Sequence, residues 1–229
     1  MKSGIEAALK ALAERVVSCE RCPRLRAYCE EVARVKKRAY KDWTYWGRPL
    51  PGFGDPYARL LVVGLAPAAH GGNRTGRMFT GDGSGDWLIK ALYEAGFANQ
   101  PLSVNREDGL KLKAAYITAA VRCAPPRNKP TRQEIENCSP YLAEELKLLR
   151  EVKVVLTLGR VAFDTYLSHL PEGLAEPRPS FKHGAVYQTG SEAPTLAASY
   201  HPSRQNTQTG KLTWQAWRSI FTEIRKILG

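Results

Sequence analysis

Short apolar runs alternate with longer amphipathic stretches along the whole chain. Four runs are continuously apolar, as expected of strands that a parallel sheet buries on both faces. They cover residues 59–66, 115–121, 152–158 and 195–200. Apolar positions at helical spacing cover residues 5–17, 87–95, 131–149, 161–170 and 212–228. The pattern predicts an α/β protein, a three-layer α/β/α sandwich around a parallel sheet.

Residues 36–57 interrupt this pattern, because glycine, proline and aromatic residues are too frequent there for a regular element. We expect a long ordered loop. Its mixture of basic and aromatic residues can contact nucleic acid, although loop aromatics more commonly dock a loop onto the core. A chain of 229 residues with 43% hydrophobic content suits one core, so residues 1–229 are predicted to form a single domain.

The charge of the chain is strongly basic, with 34 Lys and Arg residues against 22 Asp and Glu and a formal net charge of +12. Such a surface attracts polyanions, of which nucleic acid is the commonest intracellular example, although net charge also serves solubility. The apolar runs are too short to cross a bilayer, and residues 1–17 lack a signal-peptide core. We therefore expect a soluble, cytoplasmic protein with no membrane partner.

Four of the five cysteines form two widely separated pairs, Cys19 with Cys22 and Cys123 with Cys138. Without a secretory signal, such pairs indicate thiolate ligands rather than disulfides. Four thiolates suit a tetrahedral zinc ion or an iron–sulfur cluster, and the residue types do not separate the two. Buried thiols without a metal are the remaining alternative. Cys29 is left over and is expected to be structural.

The loops after the first and fourth apolar runs carry the other candidate chemistry, because parallel sheets bind ligands beyond the carboxyl ends of their strands. Residues 64–82 are rich in glycine, which suits a loop wrapped around a flat or anionic ligand. They match neither a Walker loop nor a dinucleotide fingerprint, so nucleotide phosphate binding is disfavoured. His201 follows the fourth run, where it can either stabilise a developing anion or satisfy a turn.

Three motifs in order, GLAPAAHGGNRTGRMFTGD at 64–82, CAPPRNKPT at 123–131 leading to Cys138, and YHPSRQNTQTG at 200–210, resemble the uracil-DNA glycosylase superfamily. Within it, they resemble the iron–sulfur type called family 5 or type B. The resemblance implies a four-stranded parallel α/β/α fold and a [4Fe–4S] cluster on the four paired cysteines. It also implies hydrolysis of the N-glycosidic bond of uracil or another deaminated base in DNA, which leaves an abasic site and initiates base excision repair.

The same resemblance implies roles for three side chains. His201 matches the histidine that stabilises the departing base anion, and Phe79 matches the ring on which the flipped base stacks. Asp82 matches an aspartate that positions or activates water. Local sequence offers a structural alternative for two of them, core packing for Phe79 and a helix N-cap for Asp82.

Two departures from the wider superfamily bear on mechanism and base choice. At Ala66, the best-known relatives place an acidic water activator, so the base must come from elsewhere. At Ala119, iron–sulfur relatives of the other type place an asparagine that reads the uracil edge. Fewer directional hydrogen bonds should relax base choice, and we expect hypoxanthine to be accepted as well. Asn128 is a candidate replacement contact to the base, and Ala66 and Ala119 are expected to contact the base together with Phe79.

Residues resembling the loop that enters the minor groove are expected to hold DNA: Ser203, Arg204, Gln205 and Asn206, with Arg74 and Arg77 as further candidates. The expected partners are double- and single-stranded DNA containing deaminated bases. A monomer is expected, and a sliding clamp is left open as a protein partner. The alternative function is a noncatalytic iron–sulfur protein that binds damaged DNA.

Overall fold

A computed structural model of the protein describes residues 2–171, 178–190 and 193–229. Its strands are β1 (Phe53–Gly54), β2 (Leu60–Gly64), β3 (Ala115–Ala119), β4 (Val154–Leu158), β5 (Val186–Tyr187) and β6 (Thr195–Ser199). They form one sheet in the order β1-β3-β2-β4-β6-β5. Strands β3, β2, β4 and β6 run parallel, and the two-residue strands β1 and β5 pair antiparallel at the edges.

The four parallel strands are the four apolar runs of the sequence, each trimmed at its ends, and every residue in them is buried. This confirms the predicted sheet. The edge strands were not predicted, because two residues are too few to show an alternating pattern. In the register of β2 and β3, Gly64 pairs with Ala119. Both residues end their strands, so the loops that follow leave the same edge of the sheet.

The helices are α1 (Lys2–Val17), α2 (Pro23–Val35), α3 (Gly72–Thr75), α4 (Gly83–Glu94), α5 (Arg132–Leu148), α6 (Arg160–Leu167), α7 (Arg204–Gln208) and α8 (Trp214–Leu228). Five of them, α1, α4, α5, α6 and α8, correspond to the predicted amphipathic stretches. The pattern does not predict α2, because Leu25 is the only large aliphatic residue on its buried face. Residues 36–57 include a 3₁₀ turn at Arg38–Tyr40 as well as β1, so this segment is less irregular than expected.

Helices cover both faces of the sheet. One face packs on α4 and α8 through sheet residues such as Val62 and Leu156. The opposite face packs on α1, α5 and α6 through the alternate residues, such as Val63 and Val155. Because successive strand side chains point to opposite faces, a run that is apolar throughout feeds both layers. The result is the predicted three-layer α/β/α sandwich. Among the helices in the described part of the chain, none has the length and apolar character needed to cross a membrane.

Candidate active site

The ring of Phe79 lies over the carboxyl end of the central strand. An ideal Cβ built on Gly64, the last residue of β2, would lie 2.8 Å from two atoms of this ring, so only glycine leaves the ring its place. His201, two residues beyond β6, faces Phe79 with a distance of 5.9 Å between ring centroids and 31° between ring planes. The structure thus brings together two predicted site residues that are 122 positions apart in sequence.

The backbone of Phe79 is held in a left-handed conformation, with φ of +49°. A large aromatic residue adopts this conformation only where its surroundings enforce it. Arg77 supplies part of that enforcement: its Nε donates to Thr80 Oγ1 at 3.0 Å, and its Nη2 donates to Ser103 Oγ at 2.8 Å. A buried ion pair of 2.7 Å between Arg77 and Asp108 completes the brace. Phe79 itself is only half-buried, so its ring remains open to a ligand.

Burial lowers the pKa of His201 to about 4, so the imidazole is neutral near pH 7. Its main chain is fixed by the short helix that follows. The His201 carbonyl accepts hydrogen bonds of 2.8 Å from Asn206 Nδ2 and from the backbone N–H of Ser203. Ser203 also caps α7, since its Oγ accepts from the Asn206 N–H at 3.4 Å. Ser203 and Asn206 therefore position His201, whatever else they contact.

Asp82 is the N-cap of α4. Its Oδ1 accepts 2.9 Å hydrogen bonds from the backbone N–H groups of Ser84 and Gly85. No group among the described residues donates to Oδ2, which lies so close to Gly71 that a Cβ there would overlap it. Burial raises the pKa of Asp82, opposed by the two backbone hydrogen bonds. The predicted helix cap is therefore present, and it leaves one carboxylate oxygen free for another task.

The burial of Arg74 and Arg77 gives no support to the expected DNA contact, which stays a prediction for both. Arg74 is 3% exposed and Arg77 7%, and both guanidinium groups bond within the protein. A phosphate contact needs an exposed cation. By contrast, Arg204 and Gln205 are exposed at the start of α7. An ideal Cβ on Gly83 would lie 3.8 Å from Arg204 Nε, so this side chain lies beside the beginning of α4.

The three predicted base contacts differ in position. Ala119 is buried at the end of β3, opposite Gly64 and therefore beside the Phe79 ring. Ala66 is half-buried in the loop two residues beyond β2 and packs towards the cysteines. Asn128 is exposed in a turn with φ of +56°, and in the described chain it makes no contact with Phe79 or His201. Its role as a base contact stays a prediction without support from this geometry.

The five cysteines converge on one region between α2, β3 and α5. Cys22, Cys29, Cys123 and Cys138 lie in one buried cluster. Cys19 is half-buried beside Tyr141. After burial, its charge is a further cause that raises the pKa of Cys22 and of Cys138. The two predicted pairs are thus brought together across the chain. Cys29, expected to be structural, lies among them, with its Sγ 3.6 Å from the carbonyl oxygen of Ala124.

Burial disfavours the thiolate form of Cys22 and Cys138, whereas a hydrogen bond with Cys123 lowers the pKa of Cys29. Burial raises the pKa of Cys22, and raises that of Cys138 to about 11. Asn137 Nδ2 lies 3.5 Å from Cys22 Sγ and donates to it. Within residues 2–171, 178–190 and 193–229, no three or more His, Cys, Asp or Glu side chains are spaced as in a metal-bound site.

Sequence reasoning missed the interactions that hold the glycine-rich loop. Tyr45 Oη lies 3.1 Å from His70 Nδ1, and Tyr40 and Trp43 stack on the guanidinium of Arg74. The available signal was the aromatic content of residues 36–57, together with the statistical preference of loop aromatics for docking. Which loop they dock against depends on contacts between distant segments, so local pattern could not find it.

Comparison with known proteins agrees with this geometry. The family model of the uracil DNA glycosylase superfamily matches residues 51–224. A type-5 uracil-DNA glycosylase of Thermus thermophilus is 49% identical over 96% of this chain and 98% of its own length. One from Pyrobaculum aerophilum is 50% identical over 90% and 88%, respectively. A type-4 uracil-DNA glycosylase of Sulfurisphaera tokodaii is 26% identical over 85% and 74%. The chain therefore belongs to the uracil-DNA glycosylase superfamily, in its type-5 branch.

Proposed function

We propose that this protein hydrolyses the N-glycosidic bond of uracil in DNA and leaves an abasic site. The observation that carries the proposal is the pairing of Phe79 with His201 at the carboxyl edge of the sheet. A partly exposed aromatic residue beside a histidine suits a flipped base, which needs a stacking surface and a polar contact to its edge. The type-5 relatives named above are uracil-DNA glycosylases, which fits this reading.

His201 stabilises the leaving group. Cleavage of the bond between the base and C1′ leaves the electron pair on uracil, so negative charge develops on its ring and carbonyl oxygens. A neutral imidazole donates one N–H hydrogen bond to such an oxygen. The low pKa of His201 keeps it neutral before the reaction, and its fixed main chain means that little reorganisation is needed as charge develops.

Asp82 positions the water that attacks C1′ of the sugar. Its Oδ1 is occupied by the α4 cap, whereas Oδ2 is free to accept a hydrogen bond from water. As the water oxygen bonds to C1′, the carboxylate takes its proton. The raised pKa of Asp82 makes it a better proton acceptor than an exposed aspartate. Ala66 carries no carboxylate, so we assign Asp82 as the proton acceptor in this step.

The cysteines Cys19, Cys22, Cys123 and Cys138 would hold a [4Fe–4S] cluster. The support is the convergence of an all-sulfur donor set from two distant segments, in a place where thiolates need a cationic partner. When bound, the cluster supplies a cross-link between the N-terminal helices and the loop after β3. Because that loop follows Ala119, the cross-link steadies one wall of the base pocket.

Excision of uracil can be tested on a labelled duplex with one U·G pair, followed by alkaline cleavage of abasic sites. We expect cleavage by the wild type, and a loss of about 100-fold or more in Asp82→Asn and His201→Gln, since each removes an interaction made in the transition state. Absence of cleavage by iron-loaded wild type, with binding retained, would favour the noncatalytic damage-binding alternative. Monomeric state and a sliding-clamp partner stay predictions.

Hypoxanthine is the finer part of the proposal. Ala119 ends β3 opposite Gly64 and is buried there, and an alanine has no amide with which to read the hydrogen-bonding edge of uracil. A site without such a demand rejects other bases weakly. Excision rates on matched uracil and hypoxanthine duplexes test this. Ala119→Asn should lower the hypoxanthine rate relative to the uracil rate, and an untouched hypoxanthine duplex would contradict the proposal.

Iron content separates the cysteines. In anaerobically purified protein we expect Cys19→Ser and Cys138→Ser to lose visible absorption near 400 nm and bound iron. Cys29→Ala is the matched control, because its thiol is buried in the same cluster yet is not one of the proposed ligands. Full iron in Cys138→Ser, or loss of iron in Cys29→Ala alone, would mean that the ligand set is different.

A further inference from the structure

Arg74 joins the two segments that enclose the Asp82 carboxylate. Its Nε donates to the carbonyl oxygen of His70 at 2.8 Å, and its Nη2 donates to that of Gly81 at 2.7 Å. Gly81 immediately precedes Asp82, and His70 immediately precedes Gly71, against which Asp82 Oδ2 lies. One guanidinium group thus fixes both the main chain that leads into Asp82 and the main chain against which its Oδ2 lies.

The guanidinium is itself held in place from the other side. Its Cζ lies 3.9 Å from the ring centroid of Tyr40 and 4.1 Å from that of Trp43. Both rings belong to the loop of residues 36–57. Stacking suits a planar guanidinium while its in-plane N–H groups bond to carbonyls. Arg74 is 3% exposed, so these contacts use a cation that solvent barely reaches.

The neighbouring contacts serve the same loop. Tyr45 Oη bonds to His70 Nδ1 at 3.1 Å, which holds the side chain of the residue whose carbonyl Arg74 binds. The Arg74 N–H donates to Gly71 O at 3.0 Å, so the start of α3 ties the same segment together. No acidic side chain pairs with Arg74 in the described residues. Its guanidinium group contacts carbonyls and rings, which orients main chain. From beyond ion-pair distance, its charge also opposes the rise in the pKa of Asp82 that burial causes.

We propose that Arg74 is a positioning residue for Asp82, which sets where Oδ2 points and hence where the attacking water sits. This rests on the proposed function, because it assumes that Asp82 acts on that water. Arg74 touches neither base nor DNA. The loop of residues 36–57 acts through it, so Tyr40 and Trp43 support the active site from outside the pocket.

Arg74→Lys is the test variant, because an ammonium group keeps the charge but cannot present two in-plane donors to two carbonyls. With enzyme in excess over a U·G duplex, we expect the single-turnover excision rate constant to fall about 10- to 100-fold, the range for a catalytic group displaced by about 1 Å. The Kd for a duplex with a tetrahydrofuran abasic site, and its salt dependence, should stay as in the wild type. A raised Kd with a shallower salt slope would instead identify Arg74 as a phosphate contact and overturn the proposal.

The double variant Asp82→Asn/Arg74→Lys separates positioning from general damage to the fold. If Arg74 acts through Asp82, the double variant is no slower than Asp82→Asn alone, because the group that Arg74 positions is already gone. Multiplying losses would overturn the proposal. Arg106→Lys is the matched control, because this arginine also stacks on a ring of the loop, 4.8 Å from the Trp46 centroid. Its side chain is half exposed, and among the described residues its guanidinium group bonds to no carbonyl. An equal loss in Arg106→Lys would likewise contradict the proposal.

Trp43→Leu extends the test if Arg74→Lys folds poorly. It removes one stacked ring and leaves both carbonyl hydrogen bonds, so we expect a smaller fall in the same rate constant, with Kd unchanged. The outcomes separate the two proposals. An inactive wild type removes the proposed function and this inference together. Asp82→Asn at the wild-type rate removes the role assigned to Asp82, and with it this inference, but leaves uracil excision standing. An inactive Asp82→Asn beside fully active Arg74→Lys and Trp43→Leu removes this inference alone.

Discussion

Asp82 combines a structural and a chemical task in one carboxylate. Its two oxygens are divided between them: Oδ1 accepts from two backbone N–H groups at the start of α4, and Oδ2 faces Gly71. The cap fixes the side-chain rotamer, so the free oxygen has one direction available to it. A helix cap and a water-positioning acid are therefore compatible readings of the same residue, where local sequence presented them as alternatives.

Substitutions at Asp82 should separate its two tasks. Asparagine is as good an N-cap as aspartate, so Asp82→Asn should keep the free energy of unfolding within about 0.5 kcal/mol while excision is lost. Asp82→Ala should cost about 1 kcal/mol in addition to activity, because two N–H groups lose their acceptor. Urea unfolding followed by circular dichroism gives both values. Equal stability of the two variants would show that the cap contributes nothing.

The neutral His201 predicts a pH dependence of stability. Its folded-state pKa is about 4, whereas an unfolded histidine titrates near pH 6.5. Between these values the unfolded state binds more protons, so this residue makes stability fall as the pH is lowered from about 6.5 to 4. The free energy of unfolding should therefore drop more from pH 7 to pH 5 in the wild type than in His201→Gln. Parallel losses in the two proteins would contradict the assignment.

At the scale of elements, α5 links the cysteine region to the sheet. Glu145 on α5 forms a buried ion pair of 2.6 Å with Arg122, with side chains 2% and 1% exposed. Thr118 Oγ1 of β3 donates to the same carboxylate at 2.5 Å. Arg122 directly precedes Cys123, so this pair locks the strand that ends beside the pocket to the helix that carries Cys138. A second link joins α2 to α5. Arg24 of α2 forms a bidentate pair with Glu134 of α5, in which each hydrogen bond is 2.7 Å.

Breaking the buried pair should be far more damaging than breaking an exposed one. Glu145→Gln leaves the Arg122 charge buried without its counter-ion, and should lower the free energy of unfolding by about 3–5 kcal/mol. Glu136→Gln is the control, since its i,i+4 pair with Arg132 is exposed and should cost under about 0.5 kcal/mol. Denaturant unfolding of both variants provides the comparison. A change below about 1 kcal/mol in Glu145→Gln would show that the pair is not a structural link.

At the scale of the whole molecule, a net charge of +12 favours approach to DNA, and α7 places Arg204 on the rim of the pocket. Arg204 has no carboxylate partner at ion-pair distance within the described chain, although Asp86 lies near enough to feel its charge. We propose that this exposed arginine binds a phosphate next to the flipped nucleotide. The burial of Arg74 and Arg77 leaves Arg204 with more of this task than the sequence motif suggested.

Loss of one phosphate contact has a defined signature. Arg204→Ala should reduce the slope of log Kobs against log salt by about 0.9 on duplex DNA, and weaken binding to damaged and undamaged duplexes alike. Arg132→Ala is the control and should leave the slope unchanged, because this exposed arginine of α5 already pairs with Glu136. Binding titrations at three or more salt concentrations measure both. An unaltered slope in Arg204→Ala would place this side chain outside the DNA interface.

The sequence by itself determined the layers and most of the candidate chemistry. Apolar runs of six to eight residues specify strands buried on both faces, and helical spacing between them specifies the outer layers, because burial periodicity is a local property. The pattern did not predict helix α2, because its buried face contains few large apolar residues. Residue types and spacing also supplied His201 and the paired cysteines, and the resemblance of the motifs to a known family supplied Phe79 and Asp82.

Only the tertiary structure decided which of these residues meet and which cations are free. Three features join segments that are far apart in sequence. They are the approach of Phe79 to His201, the convergence of the five cysteines, and the burial of Arg74 between two rings and two carbonyls. The sequence alone does not distinguish an arginine of a glycine-rich motif that contacts DNA from one that binds main-chain carbonyls. The exposure and the partners of Arg74 are set by long-range packing. This packing directs its guanidinium group to the carbonyls of His70 and Gly81, beside the Asp82 loop, instead of leaving it exposed for DNA.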